Sequence, residues 1–226
     1  MNPIERTTSA YISGLFLLGI CLAIFNPNYF DAVYTREDGF LETATVLALL
    51  TACIASIQRF RTLYAGPTRT FIPAVAFVIL ISAFGAGEEI SWGQRLLNIE
   101  SHDFFKAHNA QQETNLHNMV VQGTKINQLI FGKILGLGLL IYLAVLTPLY
   151  HRNTWVRQQI WRFAIPVPKH YQILGYALVF IGVEGVMQLF SDTARRGELT
   201  EFAASFVFML NVAFPVNQEI ERPYTP

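Results

Sequence analysis

The chain has 226 residues, 52% of them hydrophobic and 14% charged, with a mean hydropathy of +0.35; that is too apolar for an ordinary soluble domain of this length. Lys and Arg number 16 and Asp and Glu 16, a formal net charge of zero. No basic run stands out, which argues against a nucleic-acid partner and against a polybasic lipid-binding tail.

A multi-pass membrane protein in contact with membrane lipids follows. Windows matched to the thickness of the hydrocarbon core predict six spans, at 9–25, 41–57, 71–87, 126–146, 171–190 and about 199–216, the last interrupted by Glu201. The expected fold is all-α: a polytopic transmembrane helical bundle, with residues 1–226 as a single membrane-embedded domain. The first span has the weakly charged start and apolar run of a signal peptide, but no small-residue cleavage site follows Phe25, so it reads as retained. Cys21 and Cys53 fall inside spans and read as small apolar residues, without a disulfide framework.

The loop 58–70 carries Arg59, Arg61 and Arg69, and the loop 148–170 carries Arg152, Arg157, Arg162 and Lys169. Basic residues concentrate in cytoplasmic loops, so both loops and both termini are expected inside, with 26–40, 88–125 and 191–200 outside. Arg195 and Arg196 run against this assignment. Acidic residues contribute little to the rule, yet they gather outside: Asp31, Glu37, Asp38 and Glu42, then Glu88, Glu89, Glu100, Asp103 and Glu113, then Glu184, Asp192, Glu198 and Glu201. Glu5, Glu219 and Glu221 are left inside. Solubility of an external loop accounts for Asp31, Glu100 and Asp103. The acids at span ends call for another reason.

The sharpest motif is Glu88-Glu89-Ile90-Ser91-Trp92-Gly93-Gln94-Arg95, directly after the third apolar run. Ionisable groups at that depth are costly and are commonly retained for binding, relay or catalysis. If the helix continues past Gly87, Glu88, Ser91, Trp92 and Arg95 share a face with Glu89 and Gly93 beside them. Farther along, Ser101 is placed to cap a short interfacial helix carrying Phe104 and Phe105, with Asn109 as its terminator. Glu113 and His117 then lie one helical turn apart, beside Asn115 and Asn118. Carboxylate, imidazole and amide groups together suit metal ligation or general acid and base chemistry. The candidate catalytic residues are therefore Glu88, Glu89, His117, Glu113 and Arg95, and the candidate ligands for a divalent metal are Glu88, Glu89 and His117. His102 and His108 read as surface histidines. The spacing matches neither the zinc-protease helix nor the di-iron bundle pair.

The stretches Glu37-Asp38-Gly39 with Glu42, Glu88 to Arg95, and Glu113-Thr114-Asn115-Leu116-His117-Asn118 resemble those of a group of bacterial multi-pass membrane proteins. The resemblance covers roughly the first half of the chain. It implies a polytopic helical fold in the bacterial inner membrane and brings no activity with it.

Deeper in the spans, Lys133 and Glu184 are each expected about two helical turns from the outer end, where a structural charge pair relieves the cost of burial. Two classes of function stay open. One is a metal-assisted hydrolase or transferase acting on a lipid or lipid-linked substrate at the outer face. The other is transport or sensing of a cation or proton, beside which an assembly role also stands; protein partners are left open.

Overall fold

A capping box starts the chain. The Asn2 side chain accepts the Glu5 amide at 2.8 Å while the Glu5 carboxylate accepts the Asn2 amide at 2.8 Å, with Pro3 in the first helical turn. The structure, a computed structural model, describes residues 1–121, 124–126 and 133–218, with side chains for all of these except Arg95, Leu96, Thr124 and Lys125. Almost all of its regular structure is helical, the exception being a two-stranded antiparallel ribbon pairing Val120–Val121 with Thr124–Lys125.

Among the described residues, five helices are long and apolar enough to cross a membrane: α1 (Pro3–Phe25), α2 (Phe40–Tyr64), α3 (Ile72–Glu89), then, beyond the short α4 (Asp103–His108), α5 (Leu135–Arg152), and, beyond the amphipathic α6 (Thr154–Phe163), α7 (His170–Phe190). The last helix, α8 (Arg196–Ala213), has 18 residues and carries Arg196, Glu198 and Glu201 near its start. It packs against α1, α2 and α7.

Leu199, Phe202 and Ala203 of α8 pack with Phe16 and Ala23 of α1, Leu41 and Ala44 of α2, and Val179, Val183 and Met187 of α7. One and a half turns farther, Met209, Leu210 and Val212 meet Ala48 and Ala52 of α2. Small residues on α2 let the backbones approach, which is how helices associate when lipid removes the hydrophobic drive between them. The outward faces are apolar instead: Leu17, Phe77, Leu80, Leu137, Leu140 and Phe180 are all exposed. Large apolar groups on the outside as well as in the core suit a hydrocarbon solvent.

Polar contacts sort to the two ends of the bundle. At one end, buried Glu5 receives Lys169 Nζ at 2.6 Å and the Tyr171 hydroxyl at 2.8 Å. Asn217 accepts the Val167 amide at 3.0 Å and donates to the Ile165 carbonyl at 2.8 Å. Glu5 and Asn217 thus both tie to the segment 165–171 that leads into α7. At the opposite end lie the start of α2, the end of α3, the segment 90–121 and the start of α8.

Several expectations need correction. The fourth helix runs on to Arg152 and does not stop at 146, and the expected loop 148–170 contains α6, whose Ile160 packs on Tyr150 and Val167. Residues 127–132 lie outside the described residues, so the start of that span is not compared. The second helix continues to Tyr64. Lys133 and Glu184 are both exposed, and among the described residues no ion pair joins them. The wide helical turn Ile181–Met187 buries Gly182, Val183 and Met187, which leaves Glu184 off the inward face.

Candidate functional site

Helix α3 ends at Glu89 and does not continue through Arg95 as the shared-face expectation requires. Ser91, Trp92 and Gly93 take positive φ angles of 48°, 55° and 77°. Left-handed backbone costs a non-glycine residue about 1–2 kcal/mol, so the turn must be held by its side chains. Trp92 folds back and its indole Nε1 donates to Glu88 Oε1 at 2.8 Å, while its ring meets Phe84 edge-on at 5.7 Å. Position 87 has to be glycine here, since a Cβ would stand 2.8 Å from the Trp92 ring. Glu88 and Trp92 therefore do meet, by reversal of the chain and not by helical spacing. The side chain of Arg95 lies outside the described residues.

Segment 109–119 crosses this turn as a folded loop. Asn109 ends α4 as expected, but His102 caps its start, accepting the Phe104 amide, while Ser101 accepts Gln94 Nε2 at 2.6 Å. Residues 113–117 form bends and a turn, not a helix, so the helical spacing expected of Glu113 and His117 is not realised. Glu113 instead accepts the Ser91 hydroxyl at 2.5 Å and Asn115 Nδ2 at 3.2 Å. Asn115 also donates to Ser91 Oγ at 2.7 Å, and the Thr114 amide donates to Gln94 Oε1 at 2.7 Å. The two motifs singled out by sequence are thus halves of one interlock.

The centre of that interlock is Glu88. Its Oε2 accepts the amides of Leu116 at 2.6 Å and His117 at 2.9 Å, and its Oε1 holds Trp92. A buried carboxylate carrying these bonds is committed to holding the loop, and the loop in turn sets the place of His117.

His117 Nε2 stands 3.7 Å from Glu201 Oε2. Glu89, His117 and Glu201 each offer a ligand atom, and these atoms lie within 4.8 Å of one another. Oε2 of Glu201 is buried without a hydrogen-bond partner among the described residues. Beside the triad opens a small cleft lined by Glu37, Glu42, Glu88, Glu89, Gln111, His117, Asn118 and Glu198. Glu37 is engaged by Arg195 and by Gln111 Nε2 at 2.6 Å, and Arg195 is anchored further on the Thr35 carbonyl at 2.6 Å. The remaining carboxylates crowd one small volume, an arrangement that attracts a cation because like charges in a partly buried cleft repel.

One imidazole and two carboxylates suit a borderline divalent ion such as zinc or manganese, and three protein ligands leave room for water or substrate. The structure brings Glu88, Glu89 and His117 of the expected set to one place and gives Glu88 the supporting part. Glu113 sits in the interlock behind His117. His102 and His108 stay at the surface of α4, where His108 Nδ1 lies 2.8 Å from the Phe104 carbonyl. Glu201 and Glu198 were not among the expected ligands. Their signal was present in the sequence as two acids, three residues apart, at the start of an otherwise apolar run. Compared with models of protein families, with curated proteins and with solved structures, the chain matches none.

Proposed function

We propose that the chain is a metal-dependent hydrolase or transferase of the membrane, working on a lipid or lipid-linked substrate at the face where the acidic cleft opens. The convergence of Glu89, His117 and Glu201 within 4.8 Å carries this reading. A divalent ion held by one atom from each would act as a Lewis acid and make a bound water a nucleophile near neutral pH. Glu42 and Glu198 line the same cleft and are placed to accept a proton. Trp92, Leu97, Ile99 and Phe104 are exposed on the segment that follows Glu89 in the chain, an apolar surface that favours a substrate with an apolar tail.

The cleft face is the outer one in this proposal, since Arg61, Arg69, Arg152 and Arg162 belong to the connections at the other end. Location in the bacterial inner membrane rests on the resemblance of the motifs. Metal analysis of the purified protein tests the proposal: about one divalent ion per chain is expected, lost in Glu89→Gln, His117→Ala and Glu201→Gln. A metal-free protein that takes up neither zinc nor manganese would overturn it. Sidedness is tested by a cysteine at the exposed position 110, which should label from outside; labelling from the cytoplasmic side alone refutes the orientation.

A second reading, cation transport or sensing, is favoured by the acids that line the cleft beyond the ligand set, Glu37, Glu42 and Glu198. Ion flux into liposomes containing the protein, abolished by Glu201→Gln, would select it over hydrolysis or transfer.

A further inference from the structure

The opposite end of the molecule carries a second arrangement, independent of the metal triad. Helix α6 joins two spans, α5 ending at Arg152 and α7 beginning at His170, so it has to lie where those spans leave the hydrocarbon. Its inward face is apolar. Ile160 is buried against Tyr150 and Val167, with Val156 beside them, and Ala164 just past its end packs on Phe71 and Val75 at the start of α3. The Thr70 hydroxyl donates to the Arg162 carbonyl at 2.8 Å, so the α2–α3 connection, with Arg69, is tied to the same spot.

The outward face of α6 holds large aromatic rings and positive charge. Trp155 is 65% exposed and Trp161 40% exposed. Arg152 and Arg162 are exposed at the two ends of the helix, Arg61 is exposed in the last turn of α2, and exposed Arg69 follows on the connection, its Nη1 donating to the Gly66 carbonyl at 2.6 Å. Arg157 is spent internally, its Nε donating to the Tyr150 carbonyl at 3.1 Å and its Nη2 to the His151 carbonyl at 3.0 Å. No Asp or Glu occurs between Glu113 and Glu184. Among the described residues, the acid at this end is Glu5, which is 2% exposed and bound by Lys169 and Tyr171. The positive field of the arginines is therefore not cancelled by a described carboxylate beside them.

We propose that α6, with the arginines gathered around it, is an in-plane platform that binds the headgroups of anionic phospholipids. Charge complementarity selects the headgroup, and the tryptophans select a lipid surface over a dissolved anion, because an exposed indole gains from the boundary between headgroups and acyl chains. The arginines are scattered through the sequence and form no run; folding brings them together.

The test uses the full chain in phosphatidylcholine nanodiscs carrying spin-labelled phosphatidylglycerol or phosphatidylcholine, reading the motionally restricted fraction of each probe. The phosphatidylglycerol probe should associate at least about fivefold more strongly, the scale expected of one arginine at an anionic surface. R152Q with R162Q should bring the two probes close to equality, while R152K with R162K keeps the preference. In the unaltered chain the preference should fall as salt is raised from about 0.01 M to 1 M, through screening. Equal association of both probes, a preference that ignores salt, or displacement of the lipid by inorganic phosphate would each overturn the proposal.

Discussion

Glu88 and Glu89 are adjacent in sequence and opposite in what they do. Glu88 is saturated: one oxygen holds the Trp92 indole and the other accepts the amides of Leu116 and His117. Glu88→Gln would place an amide NH₂ against one of those donors, and a buried donor left unsatisfied costs about 1–3 kcal/mol. Carboxylate oxygens of Glu89 and Glu201 stand within 4.8 Å of each other, so Glu89→Gln and Glu201→Gln relieve repulsion. Thermal unfolding of metal-free protein in detergent should therefore show Glu88→Gln melting below the parent and the other two variants melting at or above it. If Glu201→Gln is the least stable of the three, its carboxylate holds the fold together and is not held in reserve for a ligand. The left-handed turn at Ser91 and Trp92 is what makes this division of labour, and nothing in those residue types announces it. Serine and tryptophan are not turn-formers with positive φ, and Gly93 alone hints at a break. The spacing of Glu113 and His117 misled for a similar reason, since the loop between them is fixed by contacts to a motif some twenty residues earlier, such as the Thr114 amide on Gln94.

Among the helices, apolar length made α1, α2, α3 and α7 legible, because a run that must cross hydrocarbon has few alternatives. Helix α6 was hidden by its own composition. Its arginines and glutamines look like a polar connection until Val156, Ile160 and Phe163 are counted at helical spacing. Helix α8 was legible as an apolar run interrupted by acids; it is helical from Arg196 to Ala213, but among the described residues it is not one of the five helices long and apolar enough to cross a membrane. The charge pair expected deep in the bundle is found instead at its edge, where buried Glu5 meets Lys169 at 2.6 Å. Removing one partner of a buried pair strands the other, at about 3–5 kcal/mol. Lys169→Met should accordingly lower the melting temperature markedly. Lys133→Met, at an exposed position, should stay within about 0.5 kcal/mol of the parent. Equal losses in the two variants would mean that Lys133 has a buried partner after all.

Over the whole molecule, acids gather at the end bearing the cleft, where Arg195 engages Glu37, while the end bearing α6 exposes Arg61, Arg69, Arg152 and Arg162. A formal net charge of zero hides this uneven distribution. The cleft end is also where polar groups from distant parts of the chain converge: Glu89 comes from α3, His117 from the 109–119 loop and Glu201 from α8. An ion bound there would cross-link these three segments, and it would bind the unfolded chain far more weakly because the ligands are 28 and 84 residues apart (117 − 89 and 201 − 117). Ligand binding to the native state alone stabilises by about 2.7 kcal/mol at one hundred times the dissociation constant. Chelation should therefore lower the melting temperature of the parent, and restored zinc or manganese should raise it in a concentration-dependent way. The same treatment should speed proteolysis within 109–121 ahead of global unfolding, because His117 is the loop's link to α8 while Glu88 ties it only to α3. In Glu201→Gln the metal should change neither quantity. A melting temperature that ignores both chelator and metal in the parent would leave the acidic cleft as an electrostatic feature and remove the metal from the proposed chemistry.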